Sequence, residues 1–251
     1  MKQNRKPKQR HTSKKRLSPI CLAADDPAII EKRSLHPNRV RDPNETEWVL
    51  KSGMHSRKYG DRVAKGTWVN FPVFSFTLEE RATCPAHCSQ FAICFGNRMS
   101  QPRAYRYRHG QALTDQLETE FQILSLEPET APGTVVRAHT LGDFYSISYV
   151  SWWAEQLARH SSLHVWGYTA WTPDCHIGIA IAQVKRDFPN RFRVRWSNRP
   201  GEEDSVSVVS GLDKVPNDGS IVCPYDIQRV KNCAECGICW ESRKHVVFLE
   251  H

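Results

Sequence analysis

Residues 163–196 read LHVWGYTAWTPDCHIGIAIAQVKRDFPNRFRVRW and contain a strand, a helix and a second strand in close succession. Residues 163–169 and 192–196 are short, β-prone apolar runs, and a helix is predicted near residues 175–187. Two strands joined by a helix form a unit in which the strands lie parallel and the crossover is right-handed. The chain is therefore expected to have an α/β fold built on a parallel sheet.

The alternation of strand and helix continues on both sides of this unit. Further strands are predicted at 68–76, 134–141 and 220–222, and further helices at 102–126 and after a capping residue, Ser146. Periodicity leaves open whether the sheet is open or forms a complete or partial barrel. In each of these forms, functional groups gather at the carboxyl ends of the strands.

Several polar or reactive residues follow the predicted strands directly. Because those strand ends share one edge of a parallel sheet, we expect these residues to form one site, in which Tyr168, Thr169 and Ser197 bind a cofactor. The residues are Cys84–Cys94 after the first strand, His139 and Asp143 after the second, Tyr168 and Thr169 after the third, Ser197 after the fourth and Cys223 after the fifth.

Seven of the nine cysteines fall into two groups. The N-terminal set comprises the cysteines of CPAHCSQFAIC at residues 84–94, and the C-terminal set comprises Cys223 and the cysteines of CAECGIC at residues 233–239. No apolar run follows the charged N-terminus and no stretch is long enough to span a membrane. We therefore expect a cytoplasmic protein, in which clustered thiols remain reduced and bind metal.

The C-terminal set has a spacing suited to an iron–sulfur site. Thiolates in a C-x2-C-x2-C run can reach three corners of a [4Fe–4S] cube, and Cys223 is the natural fourth ligand. A four-cysteine zinc site that fastens the C-terminal segment is the alternative. Overlapping C-x2-C units favour the cube.

The N-terminal set supplies three thiolates, Cys84, Cys88 and Cys94, at C-x3-C-x5-C spacing. Three protein ligands leave one metal position open for a substrate or cofactor. Radical S-adenosylmethionine enzymes use this arrangement, although their usual spacing is C-x3-C-x2-C. Alternatively, Cys223 completes a single site shared by both sets, so one or two clusters are possible.

His139 and Asp143 are candidates for catalysis. Four residues separate them, so in an extended strand their side chains point to the same side. A carboxylate in this position can bind a cofactor or move a proton, and its alternative role is to cap the following helix. The alternative role of His139 is that of a hydrogen-bonded core histidine.

The net charge of +8 comes from the N-terminus. Residues 1–17 carry eight Lys and Arg and no acid, which leaves 27 basic and 27 acidic residues elsewhere. We expect this tail to be disordered and to contact nucleic-acid phosphates, or else to act as a solubilising tail. Residues 103–109 interleave basic and aromatic side chains and predict either a nucleic-acid contact or a solvated helix start.

Several motifs together resemble one family, the bacteriophage "gene product eighty-eight" family. The matching stretches are TCPAHC at 83–88, CFGN at 94–97, RAHTLGDFYS at 137–146, GYTA at 167–170, Cys223-Pro224 and CAECGICW at 233–240. The resemblance covers residues 60–251. It implies a partial (β/α) barrel of the radical-S-adenosylmethionine type, iron–sulfur ligands at the seven clustered cysteines, and site roles for His139, Gly142 and Asp143.

The expected organisation is a basic tail at 1–45, a partial-barrel domain at 46–222 and a cysteine-rich iron–sulfur segment at 223–251. The leading functional prediction is a radical-S-adenosylmethionine-like enzyme that takes electrons from a donor and acts on a nucleotide or nucleic-acid substrate in the host cytoplasm. The alternative is a nonenzymatic nucleic-acid-binding protein stabilised by zinc or a structural cluster. Anaerobic metal and sulfide analysis separates the two.

Overall fold

The computed structural model describes residues 20–98, 105–125 and 133–250, and these form a mixed α/β fold around one large sheet. The helices are α1 Pro27–Ile30, α2 Gln111–Ser125, α3 Ile147–Arg159, α4 His176–Asp187, α5 Cys233–Cys236 and α6 Ile238–Glu241. The strands are β1 Val40–Arg41, β2 Lys51–Ser52, β3 Val73–Ser75, β4 Arg106–Tyr107, β5 Thr134–Arg137, β6 Leu163–Thr169, β7 Phe192–Ser197, β8 Ser205–Val209, β9 Ile221–Val222 and β10 Val246–Leu249.

The large sheet has eight strands in the order β2-β3-β5-β6-β7-β8-β10-β9. β2 runs antiparallel to β3, and every other neighbouring pair is parallel. The predicted α/β class and parallel sheet are therefore confirmed. The described strands do not pair into a closed barrel, because β2 and β9 remain at the two edges.

One face of this sheet packs against the three long helices. Leu117 of α2, Trp153 of α3 and Ile181 of α4 meet Val136 and Val165 of the sheet in one buried core. Ser146 caps α3 as predicted, since its hydroxyl oxygen accepts a hydrogen bond from the Tyr149 amide at 3.1 Å. Apolar residues two apart along β5 and β6 thus lie on one side of the sheet.

The intervening residues of these strands point to the opposite face, which we call the cysteine face. There Trp166 of β6 packs against Trp240 of α6, with ring centroids 5.2 Å apart, and Trp240 stacks on Trp68 at 5.5 Å. Both sides of the sheet are therefore covered, which explains why its central strands are almost continuously apolar.

The helix predicted from residue 102 begins instead at Gln111. Arg106 and Tyr107 form β4, which pairs with β1, and both side chains are buried. They cannot belong to the nucleic-acid surface predicted for residues 103–109. Three other residues of that stretch, Tyr105, Arg108 and His109, are at least partly exposed. Arg103 lies outside the described residues.

The segment 20–45, assigned to the basic tail, packs on the fold from residue 20 onward. Ser34 is fully buried and its hydroxyl donates to Glu80 at 2.9 Å, while the Leu22 amide donates to the Ala92 carbonyl at 3.2 Å. The basic residues of 1–17 lie outside the described residues. Of the helices that are described, none has the length and apolar character needed to cross a membrane.

Candidate functional site: a cysteine-lined cavity

All seven clustered cysteines line one cavity of about 480 Å³ on the cysteine face. Each of the nine cysteines is a free thiol, so no disulfide joins them. The structure thus brings the N-terminal and C-terminal sets to one place, although more than 120 residues separate them along the chain. The predicted site residues that also line this cavity are His139, Gly142, Asp143, Tyr168 and Ser197.

The N-terminal set lies on a loop built from tight backbone turns. The Cys88 amide donates to the Pro85 carbonyl at 3.0 Å, and the Asn97 amide donates to the Cys94 carbonyl at 2.9 Å. These turns place the cysteines at successive bends, from which several side chains can reach the same cavity.

Buried charged residues pack against this loop and bind its backbone carbonyls. Glu80 and Arg106 are both fully buried and pair at 2.7 Å, and Arg106 also donates to the Gly96 carbonyl at 2.8 Å. Arg81, also buried, donates to the Phe91 carbonyl at 3.0 Å. Because an unpaired buried charge is costly, these ion pairs and hydrogen bonds fix the loop's backbone.

The C-terminal set is positioned mainly by backbone contacts. Asn232 caps α5 by accepting from the Glu235 amide at 2.9 Å, and Gly237 turns the chain between α5 and α6 with a φ of 70°. The Cys233 amide donates to the Lys58 carbonyl at 2.7 Å. Cys223 is joined to β10 through its amide, which donates to the Val247 carbonyl at 2.8 Å.

Arg195 of β7 fastens the C-terminal set to the sheet. Its side chain is buried and donates to the carbonyls of Cys239 at 2.9 Å, Ile238 at 3.1 Å and Lys244 at 2.8 Å. The guanidinium has five donors in a rigid fork, so one side chain can gather several carbonyls that would otherwise lack partners.

Tyr168 connects β6 to the same set. Its hydroxyl lies 3.0 Å from the Cys239 sulfur, within hydrogen-bonding distance. Burial, together with the nearby Cys239, raises the pKa of Tyr168 well above its usual value. The hydroxyl therefore stays protonated at neutral pH and can donate to a Cys239 thiolate.

Arg137 of β5 is a buried cation in the cavity wall without an acidic partner. Its guanidinium lies over the rings of Trp166 and Tyr168, 4.7 and 4.1 Å from their centroids. Its hydrogen bond to the Ala138 carbonyl is long, at 3.4 Å, and no described carboxylate lies within 4 Å of it. Burial raises the pKa of the Asp143 carboxylate, and the charge of Arg137 acts on that buried carboxylate at longer range to lower it.

Burial makes several of these thiols harder to ionise in the metal-free chain. Burial raises the pKa of Cys94 to about 11 and that of Cys223 to about 12, and the pKa values of Cys84 and Cys233 are raised in the same direction. Lys58 faces the C-terminal set; burial lowers its pKa, but Asp226 and Cys233 raise it, so that the net pKa is raised. A metal cation that binds these thiols would displace their protons.

Asp143 is buried and its carboxylate is fully engaged. It accepts hydrogen bonds from the Thr169 hydroxyl at 2.8 Å, the Ala170 amide at 2.7 Å and the Phe144 amide at 2.7 Å. Its own amide donates to the Thr83 hydroxyl at 3.2 Å, next to Cys84. Burial raises the pKa of Asp143 to about 7, against the effect of these donors. Asp143 therefore ties the end of β6 to the N-terminal set, and it does not cap α3.

His139 is buried beside the cavity. One ring nitrogen, Nε2, hydrogen-bonds the Tyr149 hydroxyl at 2.9 Å, whereas Nδ1 is buried with no partner among the described residues. Burial lowers the pKa of His139 well below its usual value, so the ring is neutral. The ring packs edge-on against Phe76 and Phe144, with centroids 5.0 Å apart in each pair, which fits the alternative of a hydrogen-bonded core histidine.

Of the remaining predicted residues, some line the cavity and others hold the residues that line it. Gly142 is required by close packing, because a Cβ there would lie 2.5 Å from the Thr83 hydroxyl oxygen. Thr169 lies behind the cavity wall and acts through Asp143. Of the two isolated cysteines, Cys21 is exposed and Cys175 caps α4, its sulfur accepting from the Gly178 amide at 3.3 Å.

The described side chains do not form a site for a single metal ion. No group of three His, Cys, Asp or Glu residues among them is close enough to share one ion. Thiolates that share one zinc ion lie about 3.8 Å apart, because each is ~2.3 Å from the metal. Thiolates on a cube bind different irons and are spaced more widely.

Sequence reasoning missed the residues that support and charge this cavity. Arg137 could have been noticed in the sequence, because it is a charged residue in an otherwise apolar strand. In a sheet that is covered on both sides, such a residue must be buried. Lys58 and the pair Glu80–Arg106 carry no comparable signal, because single charges between short elements usually face solvent.

Two comparisons with known proteins show which family the chain resembles. Residues 48–190 match the model of a protein family described as "Gene product 88". The "Gene 88 protein" of Mycobacterium phage D29 is 26% identical over 133 residues, which cover 45% of this chain and 53% of that protein. The chain thus spans about half the length of this curated relative. No solved structure matches the chain.

Proposed function

The chain belongs to the gene product 88 family, and on that premise we propose that it is a phage-type iron–sulfur protein whose two cysteine sets hold [4Fe–4S] clusters. One observation carries the proposal: seven free thiols and a buried arginine with no carboxylate in direct contact, Arg137, line the same cavity. Cysteine is the usual ligand of such clusters.

The charge of the cavity supports this assignment. Thiolate ligands are anionic, and their burial requires nearby positive charge or hydrogen-bond donors. Arg137 and Lys58 supply two cations in the wall, and the Tyr168 hydroxyl supplies a donor directed at Cys239. These groups would be poorly placed around an empty or purely apolar pocket.

The two sets are assigned different roles. The C-terminal set has four thiols and would hold its cluster with every iron ligated by the protein. The N-terminal set has three, which leaves one iron to bind an outside ligand; S-adenosylmethionine, as in radical-S-adenosylmethionine enzymes, is the ligand we propose. His139, with its unpartnered Nδ1, is the nearby group able to hold or move a substrate proton. Asp143 positions the loop beside Cys84 through Thr83.

The first test is iron and acid-labile sulfide analysis of protein purified without oxygen. Two cubes predict about eight irons and eight sulfides per chain, and a single shared cube predicts about four. The triple variant C84S/C88S/C94S and the triple variant C233S/C236S/C239S should each lose about half of a two-cluster load. The matched control C21S/C175S removes two thiols outside the cavity and should lose none. Zinc without sulfide in the wild-type protein would overturn the proposal and favour the metal-stabilised nucleic-acid-binding alternative.

The second test concerns the open position. Reduced, iron-loaded protein is incubated with S-adenosylmethionine, and 5′-deoxyadenosine is measured. We expect formation by the wild-type protein and by C21S/C175S, and none by C84S/C88S/C94S. A fully loaded protein that forms no 5′-deoxyadenosine would remove the enzyme assignment while leaving the iron–sulfur assignment intact.

A further inference from the structure

A second cavity, of about 260 Å³, opens beside the C-terminal end of α4 and is separate from the cysteine-lined cavity. It is notable for its charge, since four cations from three segments line it with a single carboxylate. The cations are Lys185, Arg186, Arg193 and Arg243, and the carboxylate is Asp204.

Asp204 compensates this positive charge only in part. Its carboxylate is shared between Lys185 at 3.6 Å and Arg193 at 3.7 Å. Both nitrogen–oxygen distances are longer than those of a charge-assisted hydrogen bond, which are about 2.7–2.9 Å. Burial, and the like charge of Arg193, lower the pKa of Lys185 despite the opposing effect of Asp204. The two cations therefore retain unused hydrogen-bonding capacity.

Arg243 adds a cation with no counter-charge. Within the described ranges, no hydrogen bond or ion pair joins its guanidinium to another group. Arg193, by contrast, is held in place, since it donates to the carbonyls of Pro189 and Ser242, each at 3.3 Å. A fixed arginine, a partly buried lysine and an uncommitted arginine thus surround one space.

The wall of this cavity is rigid. Trp196 of β7 is buried in the helical core, and the Lys185 ammonium lies 5.0 Å from its ring centroid. Phe192 of the same strand is also part of that core. Because these residues fix the floor, the cations need little rearrangement to receive a ligand.

We propose that this cavity binds a phosphate group through Lys185, Arg193 and Arg243. A phosphate presents several strong acceptor oxygens, and guanidinium groups match it in two-point contacts while lysine acts as a point charge. The phosphate can come from a free nucleotide or from the backbone of a nucleic acid. None of the seven clustered cysteines lines this cavity, so its phosphate chemistry does not require a cluster, although Arg243 follows α6 in the C-terminal segment.

The test compares two neighbouring arginine and lysine variants in the full chain. Arg243→Gln removes a cation from the cavity, and Lys244→Gln removes an exposed cation one residue away that does not line it. The probes are sodium pyrophosphate, by isothermal titration calorimetry, and a labelled ten-nucleotide single strand, by fluorescence anisotropy. Because both variants keep residues 1–17, the contribution of the basic tail is the same in each.

We expect Arg243→Gln to weaken binding of at least one probe about ten-fold, which corresponds to the loss of one charge-assisted hydrogen bond, and Lys244→Gln to change it less than two-fold. An effect on pyrophosphate indicates a free phosphate ligand, and an effect on the oligonucleotide alone indicates a nucleic-acid backbone. Lys185→Gln should reproduce the Arg243→Gln result. Equal losses in Arg243→Gln and Lys244→Gln, or no binding of either probe at millimolar concentration, would overturn the proposal.

Discussion

The two cysteine sets face the same cavity but are held in place by different kinds of contact. The loop of the N-terminal set rests on buried side-chain charges, chiefly the pair Glu80–Arg106. Three of the four cysteines of the C-terminal set lie on α5 and α6, each only four residues long, and the set is attached through backbone hydrogen bonds and through Arg195.

This difference indicates how each set depends on a ligand. A loop anchored by buried ion pairs keeps its backbone whether or not its thiols are occupied. Helices of one turn are not stable alone, so the C-terminal set must draw stability from what its side chains bind. We therefore expect the N-terminal set to be preorganised and the C-terminal set to fold with its metal.

Removing the C-terminal thiols should have the largest effect. C233S/C236S/C239S is expected to lose its cluster and several kcal/mol of stability, because binding free energy at a closed site is also folding free energy. C84S/C88S/C94S should lose iron while its Tm stays near that of the wild-type protein. Anaerobic iron analysis and thermal unfolding measure both. If the N-terminal variant melted first, the proposed difference between the sets would be reversed.

Breaking the buried pair under the N-terminal loop should be nearly as damaging. Glu80→Gln leaves the Arg106 charge buried without its partner, which costs about 3–5 kcal/mol. Glu118→Gln is the matched control, because Glu118 pairs with Arg159 at the protein surface, where such a pair contributes ~0–1 kcal/mol. Urea unfolding of the two variants gives the comparison. Equal, small losses would show that the loop does not depend on this pair.

Substitutions of Arg137 and Arg195 are expected to change the stability of the metal-free protein in opposite directions. Arg137→Gln removes a buried cation that lacks an acidic partner, so the metal-free protein should be no less stable, or more stable by ~1 kcal/mol or more. The same variant should lose iron faster once loaded. Arg195→Gln should destabilise both forms, because its donors satisfy three carbonyls. Thermal unfolding with and without iron, and iron release to a chelator, separate these outcomes.

The sequence predicted the central part of the fold well. β6, β7 and α4 match their predicted ranges closely, and α3 begins after the predicted cap Ser146, because each has a clear period and clear boundaries. β8 and β10 were not predicted. β8 lies in a polar stretch and β10 has four residues, and each becomes a strand by pairing with the other in the sheet. Such pairing joins residues 40 apart and has no local signal.

The sequence indicates where along the sheet the candidate site lies. It does not indicate which buried charges hold the cysteine loops in place. The rule that parallel strands end at one edge led us to expect one shared site there, and the structure places the Tyr168 hydroxyl 3.0 Å from the Cys239 sulfur. The rule carried no information on Glu80 and Arg106, which are 26 residues apart and pair only because β4 leaves the predicted helix. Charged residues in short elements are usually exposed, so their burial has to be seen in three dimensions.

Acid should destabilise the fold in part through His164. His164 lies between Trp68 and Phe71 on the cysteine face, and burial, together with the charge of Arg191, lowers its pKa to about 4 against the effect of its bond to the Ser162 carbonyl. The unfolded chain takes up a proton near pH 6.5, while the folded chain does not until about pH 4. Stability is therefore retained above pH 6.5 and lost as the pH falls toward 4.

The measurement for this acid effect is the Tm of the metal-free chain between pH 7 and pH 4.5. His164→Gln, which does not titrate, should show a shallower fall in Tm than the wild-type protein. His55, an exposed histidine, provides the control His55→Gln, whose profile should follow the wild-type protein. Parallel profiles for all three proteins would exclude His164 as a source of the pH dependence.

The smallest expected effect is that of the hydrogen bond to Cys239. Tyr168→Phe removes a donor 3.0 Å from that sulfur and keeps the ring on which Arg137 stacks. A donor to a ligand sulfur favours the reduced, more negative cluster, so its loss should lower the midpoint potential. A bond worth ~1 kcal/mol corresponds to about 40 mV for one electron. Tyr225→Phe changes another tyrosine of the cavity wall and should leave the potential unchanged. Equal potentials in all three proteins would mean that Tyr168 does not donate to the C-terminal cluster, and that this set depends on its backbone contacts alone.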